Sequence, residues 1–509
     1  MLLSVLLATT LSLPTGPVDL RGGEKHEYVL PLTRGEFVQL VVDQRGIDVV
    51  VTVHAPDGKQ ITEVDSPNGA NGPEPVPIAA NAAGRYRVEV RSFDPNAKPG
   101  QYAMRIAERL TPAQYRKRLA EERARDAAVI AWMRARAIPL DGDLEPLRSL
   151  FANVRVVGLG EATHGSHEIF ELKKRLIEFL VTRMGFTIVA FEGSVTMFEE
   201  LDRGAAPTTL KAGGWITDTQ NLVSLLEWLR AHNASVPAER RVRLIGLDPQ
   251  GSAEAILFLR GYVDARFHPL LDSLLVQDAN AIAFARTEVT GGMLDGLRRL
   301  LAHLVTHEGD FVRRTSPAEH VRAVNIVRLL LQFGEFNASL PPGEGGTRDQ
   351  YMADHLFRVL QPGTRAIVWS HNSHIAARQT GSYPPMGGFL RAALGAGYYA
   401  LATAFDRGAF QAQLPNSRPP EVREFSLPPA EPGTVDWFLT QATEGTALVD
   451  LRGAPPADKR IADWLQTLHR MHWVGAIYSD QSSPWQSFVL ARDFDGIAIL
   501  DSTTRARPR

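Results

Sequence analysis

The sequence predicts two folded parts: an N-terminal all-β sandwich of jelly-roll-like form, then an α/β domain with a parallel-strand core and a large helical insertion. Three observations predict it. Short β-branched runs separated by turns fill the segment from Gly23 to Arg109. From Val154 onward strand-like and helix-like segments alternate, the pattern of an α/β sheet. Between Gly251 and Leu360 the chain becomes Leu-, Ala- and Arg-rich and helical, too long for a simple crossover.

The chain opens with Met1-Leu2-Leu3-Ser4-Val5-Leu6-Leu7-Ala8, which reads as the apolar core of a signal peptide. No Lys or Arg precedes the run and no small-x-small cleavage motif follows Leu11, so a leading apolar strand is the plainer alternative. The apolar run still favours export, so residues 1–20 are expected to be a signal peptide, and the protein secreted or periplasmic. Residues 21–109 are expected to form the sandwich. Phe37–Val42 and Asp48–Val53 are β-branched runs, and Pro56-Asp57-Gly58-Lys59 is a turn. Gly84–Val90 and Gln101–Ile106 alternate with period two, as half-buried strands do. Ser66–Pro73 reads as a polar loop. No catalytic constellation falls in this part, which reads as a binding or stabilising accessory.

Thr111-Pro112 opens a helix by cap and first-turn logic, and residues 110–135 are expected to link the parts and start the second. The α/β domain is expected over 136–509, with the insertion over 251–360 packing on the sheet's active rim. Within it, Leu172, Leu176, Ile177 and Leu180 recur at helical spacing. Strands resume at Arg365, Tyr398 and Thr446, and the run Gly496–Asp501 is the last.

The whole chain sets bounds. Its 509 residues, 44% hydrophobic and 22% charged, have the composition of a globular protein. A formal net charge of -2 gives no global attraction to nucleic acid or an anionic membrane. The absence of cysteine excludes disulfides, zinc-thiolate sites and cysteine nucleophiles, and fits an oxidising compartment without requiring one. No later run is long and apolar enough to span a bilayer.

Chemistry concentrates at strand ends. Val154–Gly160 runs into Glu161-Ala162-Thr163-His164-Gly165, Phe186–Phe191 into Glu192, Val242–Leu247 into Asp248, and Ala366–Ser370 into His371-Asn372-Ser373-His374. In an open parallel sheet those ends share one rim, where such folds place their ligands. His164 can move protons near neutral pH, and a nearby carboxylate such as Glu161 orients it and stabilises its charged form. Each has a plainer alternative: a turn capping the next helix for Glu161 and His164, a structural ion pair for Glu192, and a helix cap for Asp248. Arg348 and Asp349 read as an exposed ion pair. A His371/His374 pair alone is a weak metal signal, since no His-Glu-x-x-His occurs. The dinucleotide loop is broken, because Thr163 stands where Gly-x-Gly-x-x-Gly needs its third glycine. No Gly-x-Ser-x-Gly elbow and no Walker loop occurs.

From about Leu140 to Ser502 these segments resemble the erythromycin esterase family. The carriers are Leu159–Gly165, Glu171–Leu176, Phe191-Glu192, Arg348-Asp349-x-x-Met352-Ala353, Trp369–Ala376, Gly387 and Tyr398-Tyr399-Ala400. The resemblance implies hydrolysis of an ester or lactone by activated water without a covalent intermediate. It implies His164 as general base, with Glu161, Glu192 and His371 around the same cleft. The expected substrate-contacting positions are His374, Arg348, Asp248 and Glu168. No cofactor is carried over; a divalent metal held by Glu161, His164, Glu192, His371 and His374 is the alternative, and a non-catalytic binding protein with a degenerate cleft is a third reading. The β-part is similar to pre-peptidase C-terminal modules in its strand rhythm and Gly-x-Tyr-x-Val ending. That module and the export signal depart from the shorter macrolide-resistance enzymes and speak against macrolides as the natural substrate. The expected partner is a small-molecule ester or lactone, with no nucleic acid.

Overall fold

A computed structural model describes residues 13–66, 68–282, 287–338, 346–378, 384–417, 419–453 and 456–509. The chain divides into two compact units, residues 1–127 and 128–509. The apolar run at residues 1–12 lies outside the described residues.

The first unit is a sandwich of eight strands in two four-stranded antiparallel sheets. The strands are β1 (Val18–Leu20), β2 (Lys25–Leu32), β3 (Phe37–Arg45), β4 (Val49–His54), β5 (Gln60–Val64), β6 (Asn71–Ala79), β7 (Gly84–Ser92) and β8 (Gly100–Leu110). One sheet runs β1-β8-β3-β6 and the other β2-β7-β4-β5. The inward residues of each pleat, among them Leu40, Val51, Ile78, Val88 and Tyr102, form a core of their own. The sandwich begins earlier than the expected residue 21, because Val18–Leu20 pairs with Gly100–Tyr102. Strand β6 also enters the expected loop Ser66–Pro73, since Asn71–Pro73 pair with β3.

The helix Pro112–Arg134 spans the expected linker. Its first turns belong to the sandwich unit, where Tyr115 stacks on Phe37 at 4.9 Å. Its last turns bury Val129 and Met133 in the second unit.

The second unit is built on a mixed sheet. Its strands are β9 (Ala137–Pro139), β10 (Val156–Leu159), β11 (Ile188–Ser194), β12 (Arg243–Asp248), β13 (Ala366–Trp369), β14 (Tyr398–Gln413), β15 (Val422–Leu427), β16 (Ala447–Asp450) and β19 (Gly496–Thr503). A hairpin of β17 (Leu468–His472) and β18 (Trp485–Val489) stands apart from it. The sheet order is β12-β11-β13-β10-β14-β19-β16-β9, with β15 paired to β14. The six strands from β12 to β19 are mutually parallel. Strands β10 and β13 are buried along their whole length, as strands covered on both faces must be. Val157, Leu159, Val189, Phe191, Ile367 and Trp369 pack on one face with the helix His167–Met184. Val156, Ile188, Ala190, Ala366 and Val368 pack on the other with the helices Arg348–Val359 and Met386–Leu394.

The insertion carries the helices Ala253–Tyr262, His268–Ile282, Gly291–Thr306, Glu308–Arg314 and Pro317–Asn337. They bury a separate apolar cluster that includes Leu259, Leu271, Leu300, Phe311 and Leu330. Among the described residues, no helix is long and apolar enough to cross a membrane.

Candidate active site

Register explains the convergence of the strand-end residues. Leu159 and Phe191 both lie level with Trp369 across the parallel ladders. The residues that follow those three, Gly160-Glu161, Glu192 and Ser370-His371, therefore emerge together at the C-terminal rim. Asp248 joins them from β12, where the register shifts between Phe191 and Ser194. The close approach at β10 requires glycine: a Cβ on Gly160 would overlap Asn372 Oδ1. That oxygen accepts from Thr403 N–H at 3.1 Å.

His164, Glu192, Asp248, Arg348, His371 and His374 line one cavity of about 440 Å³, together with Trp215 and Trp473. Glu161 lies just beneath it. Its Oε1 is 2.7 Å from His164 Nδ1 and its Oε2 is 2.6 Å from Lys173 Nζ. Burial alone would raise the Glu161 carboxyl, but the Lys173 charge and the His164 hydrogen bond outweigh it and hold it at about 2. An ionised carboxylate only accepts, so His164 Nδ1 carries the proton and donates. In the neutral ring the lone pair is then on Nε2, which makes no hydrogen bond among the described residues.

His371 is the opposite case. It caps the short helix Asn372–Ile375, and its Nδ1 accepts from Ser373 N–H. The neutral ring then carries its proton on Nε2, a buried atom with no partner among the described residues. Burial, reinforced by His164, pushes the His371 ring down to about 3, so it stays neutral. The His164 and His371 rings lie 4.9 Å apart, and Trp473 meets His371 edge-on at 5.3 Å.

The remaining charges satisfy one another. Arg348 donates to Asp248 Oδ2 through Nε at 3.1 Å and Nη2 at 2.6 Å, and to Glu192 Oε1 at 3.1 Å. Glu192 Oε2 accepts from Ser370 Oγ at 2.7 Å and from His371 N–H at 2.9 Å. His374 sits between Asp349, 2.9 Å from Nδ1, and Glu192, 3.2 Å from Nε2. Burial works against its charge, but the two carboxylates outweigh burial and raise it to about 10. His374 is thus an imidazolium with both nitrogens donating. The 3.3 Å approach of Arg348 Nη1 to its Nε2 is a contact of two cations over shared carboxylates, not a hydrogen bond.

Several expectations change here. Arg348 and Asp349 do not form an exposed pair: each is drawn inward, to Asp248 and Glu192 and to His374 respectively, because buried charges require opposite partners. His371 and His374 line the same cavity but hold different partners: His371 caps the helix that follows it, and His374 pairs with Asp349 and Glu192. Asp248 does not cap the next helix. Its Oδ1 takes Gln250 N–H at 3.1 Å, while Asp278 takes Gly251 N–H at 2.9 Å. Glu168 does not reach the cavity; its carboxylate holds Thr504 through N–H at 2.5 Å and Oγ1 at 2.6 Å. The insertion meets the rim locally, where Ala281 lines the cavity.

The carboxylates of the rim already have cationic partners. Lys173 pairs with Glu161, Arg348 with Asp248, and His374 with Glu192. Among the described residues no group of three or more His, Asp or Glu is arranged to hold an ion.

Sequence reasoning missed Lys173, Asp349 as the partner of His374, Ser370, Trp215 and Trp473. Lys173 left a signal. It stands four residues from Ile169 and Ile177 and three from Leu176, on the apolar stripe of its helix, and is fully buried. The other four lie just past strand ends or in the first turn of a helix, where no periodicity marks them.

A family model described as erythromycin esterase matches residues 181–503. That span holds Glu192, Asp248, Arg348, His371 and His374, while Glu161, His164 and Lys173 precede it. A putative hydrolase, YbfO, of Bacillus subtilis (strain 168) is 22% identical over 422 residues, covering 73% of this chain and 90% of that protein. Erythromycin esterase type II of Escherichia coli is 22% identical over 404 residues, covering 71% and 93% respectively. A crystal structure of a Bacillus cereus protein superposes with a TM-score of 0.60 at 22% identity, over 75% of this chain and 99% of that one. At that identity the structural likeness concerns the fold.

Proposed function

The chain belongs to the erythromycin esterase family, and on that premise we propose that it hydrolyses a carboxylic ester or lactone with water activated by His164. One observation carries the reading. His164 Nδ1 is anchored to an ionised Glu161, leaving Nε2 as a base facing a cavity that also holds the Nε2–H of His371, unpartnered among the described residues.

His164 Nε2 takes a proton from water as its oxygen bonds to the ester carbonyl carbon. The carbonyl π electrons move to oxygen, and His371 Nε2–H donates to that oxyanion. Glu161, itself neutralised by Lys173, stabilises the imidazolium formed. Collapse of the tetrahedral intermediate breaks the carbon–alkoxide bond, and the imidazolium returns its proton to the leaving oxygen. No covalent enzyme intermediate is needed. The Arg348, Asp248, Glu192, His374 and Asp349 network supports this reading by fixing Ser370 and His371 N–H against Glu192.

A mass-spectrometric screen of esters and lactones, macrolides included, tests it with and without chelator. Hydrolysis in water enriched in heavy oxygen should label the carboxylate product, and chelator should leave the rate unchanged. Loss of activity on chelation, restored by a divalent ion, would support the metal-dependent alternative. Turnover of no ester, with tight binding of one, would support the binding-protein alternative. Export is proposed on the apolar run Leu2–Ala8, and fractionation of the source cells tests it.

A further inference from the structure

We infer that Thr504–Arg509 is a positioning strap, which joins the turn carrying His164 to the segment that walls the cavity at Trp215. The kinetic part of the inference rests on the hydrolase reading above. The strap lies beyond the span that matches the family, which ends at residue 503.

Its inner half clasps the turn after His164. Ala506 N–H donates to Gly165 O at 2.7 Å, and His167 N–H donates to Thr504 O at 2.9 Å. The same Gly165 carbonyl accepts from Gln411 N–H at 3.1 Å, so both of its lone pairs are engaged. Arg505 Nε reaches Gln411 Oε1 at 3.0 Å, tying the two donors' strands together. Glu168 completes the clasp by accepting both Thr504 N–H and Thr504 Oγ1–H. Gly165 has no room for a side chain, because a Cβ there would overlap the backbone of Gln411.

The outer half holds the wall. Gln220 donates from N to Arg507 O at 2.9 Å and from Nε2 to Pro508 O at 3.1 Å, and Arg509 N–H donates to Asp218 O at 3.3 Å. Trp215, Ile216 and Thr217, just before those residues, line the cavity. One short segment therefore sets both the base and the surface against which substrate rests. A misplacement of about 1 Å at a reacting group is enough to cost ~10²-fold in rate.

The two halves make separable predictions. Ala506→Pro removes the donor to Gly165 and should lower kcat on a small soluble ester by about tenfold or more, by the positioning effect just given, with KM nearly unchanged. A chain ending at Ala506 keeps the inner clasp. It should retain kcat on the small ester while KM rises on a bulky ester that needs the Trp215 wall. Glu168→Ala should behave like Ala506→Pro, and Glu168→Gln should restore it, because the amide can accept from Thr504 N–H and donate to Thr504 Oγ1. Hydrogen exchange of the peptide spanning residues 161–168 supplies a readout independent of any ester. It should quicken in Glu168→Ala and return to normal in Glu168→Gln. If Ala506→Pro fails to fold, the Glu168 pair decides. Wild-type kcat and wild-type exchange in Glu168→Ala would overturn the strap. Wild-type protein that cleaves no ester would overturn the hydrolase reading instead, and the exchange data would still judge the strap.

Discussion

Lys173 Nζ lies 2.6 Å from Glu161 Oε2 and 4.2 Å over the ring of Trp369, with no solvent exposure. Burial lowers the amine to about 8, against the opposing pull of Glu161, so the pair is ionised at neutral pH. Its role is to let a buried carboxylate stay charged directly beneath His164. Removing one partner of such a pair typically costs ~3–5 kcal/mol, because the other charge is left uncompensated. Lys173→Met should therefore lower the melting temperature and kcat together. Adding Glu161→Gln should recover much of the stability and none of the activity, since His164 then faces no anion. Thermal melts and kcat on the single and double variants check this. A single variant that melts and turns over like wild type would remove Lys173 from the mechanism.

His164 itself offers the cleaner catalytic test. Its side chain reaches the cavity, so its removal leaves room that water can fill, and Glu161 keeps Lys173. His164→Ala should lose ~10²-fold or more of turnover, the usual size of a general-base contribution, with little change in melting temperature. A variant retaining more than about a tenth of wild-type turnover contradicts that role.

Much of this site was legible in the sequence because local pattern and sheet topology acted together. Apolar runs that stop at Glu161, Glu192, Asp248 and His371 give their strand ends directly, and parallel pairing puts equal ends on one rim. What stayed hidden was long-range choice of partner. Arg348 and Asp349 are adjacent and oppositely charged, so an exposed pair is the simplest local reading. Only the fold reveals that Asp248, 100 residues away, takes the guanidinium. Glu168 is a similar case: it is expected to contact substrate, yet its carboxylate is turned toward Thr504. The strap itself is short and polar, with no period to read.

The two imidazoles at the end of β13 should shape stability against pH from opposite sides. His374 is raised to about 10 in the fold by Glu192 and Asp349, against burial. Its contribution is full below the unfolded histidine value of about 6.5 and is lost as pH rises through about 10. His371 is lowered to about 3, chiefly by burial. The unfolded chain then binds the extra proton, so stability is present above about 6.5 and falls as pH drops toward 3. Denaturant unfolding from pH 4 to 10 should show both limbs. His371→Gln should flatten the acid limb and leave the alkaline one, and His374→Gln should flatten the alkaline limb. An acid limb unaltered by His371→Gln would assign it to other groups.

The sandwich unit should be dispensable for chemistry on small substrates. Every residue lining the cavity belongs to the second unit, and each unit buries its own core. The C-terminal half of the helix Pro112–Arg134 must be kept, because Val129 and Met133 are fully buried in the second unit's core. A protein beginning at Thr111 should fold and keep kcat and KM on a small soluble ester. Tyr115, freed of its stack on Phe37, is then exposed, so Tyr115→Ser is a useful companion change for solubility. A second start near Arg118 guards against a poorly chosen boundary. If both shortened proteins fold, by calorimetry and circular dichroism, and neither hydrolyses the small ester, the sandwich is required to complete or order the site. Loss confined to large or surface-bound esters would give the sandwich a targeting role, which its lack of a catalytic constellation favours.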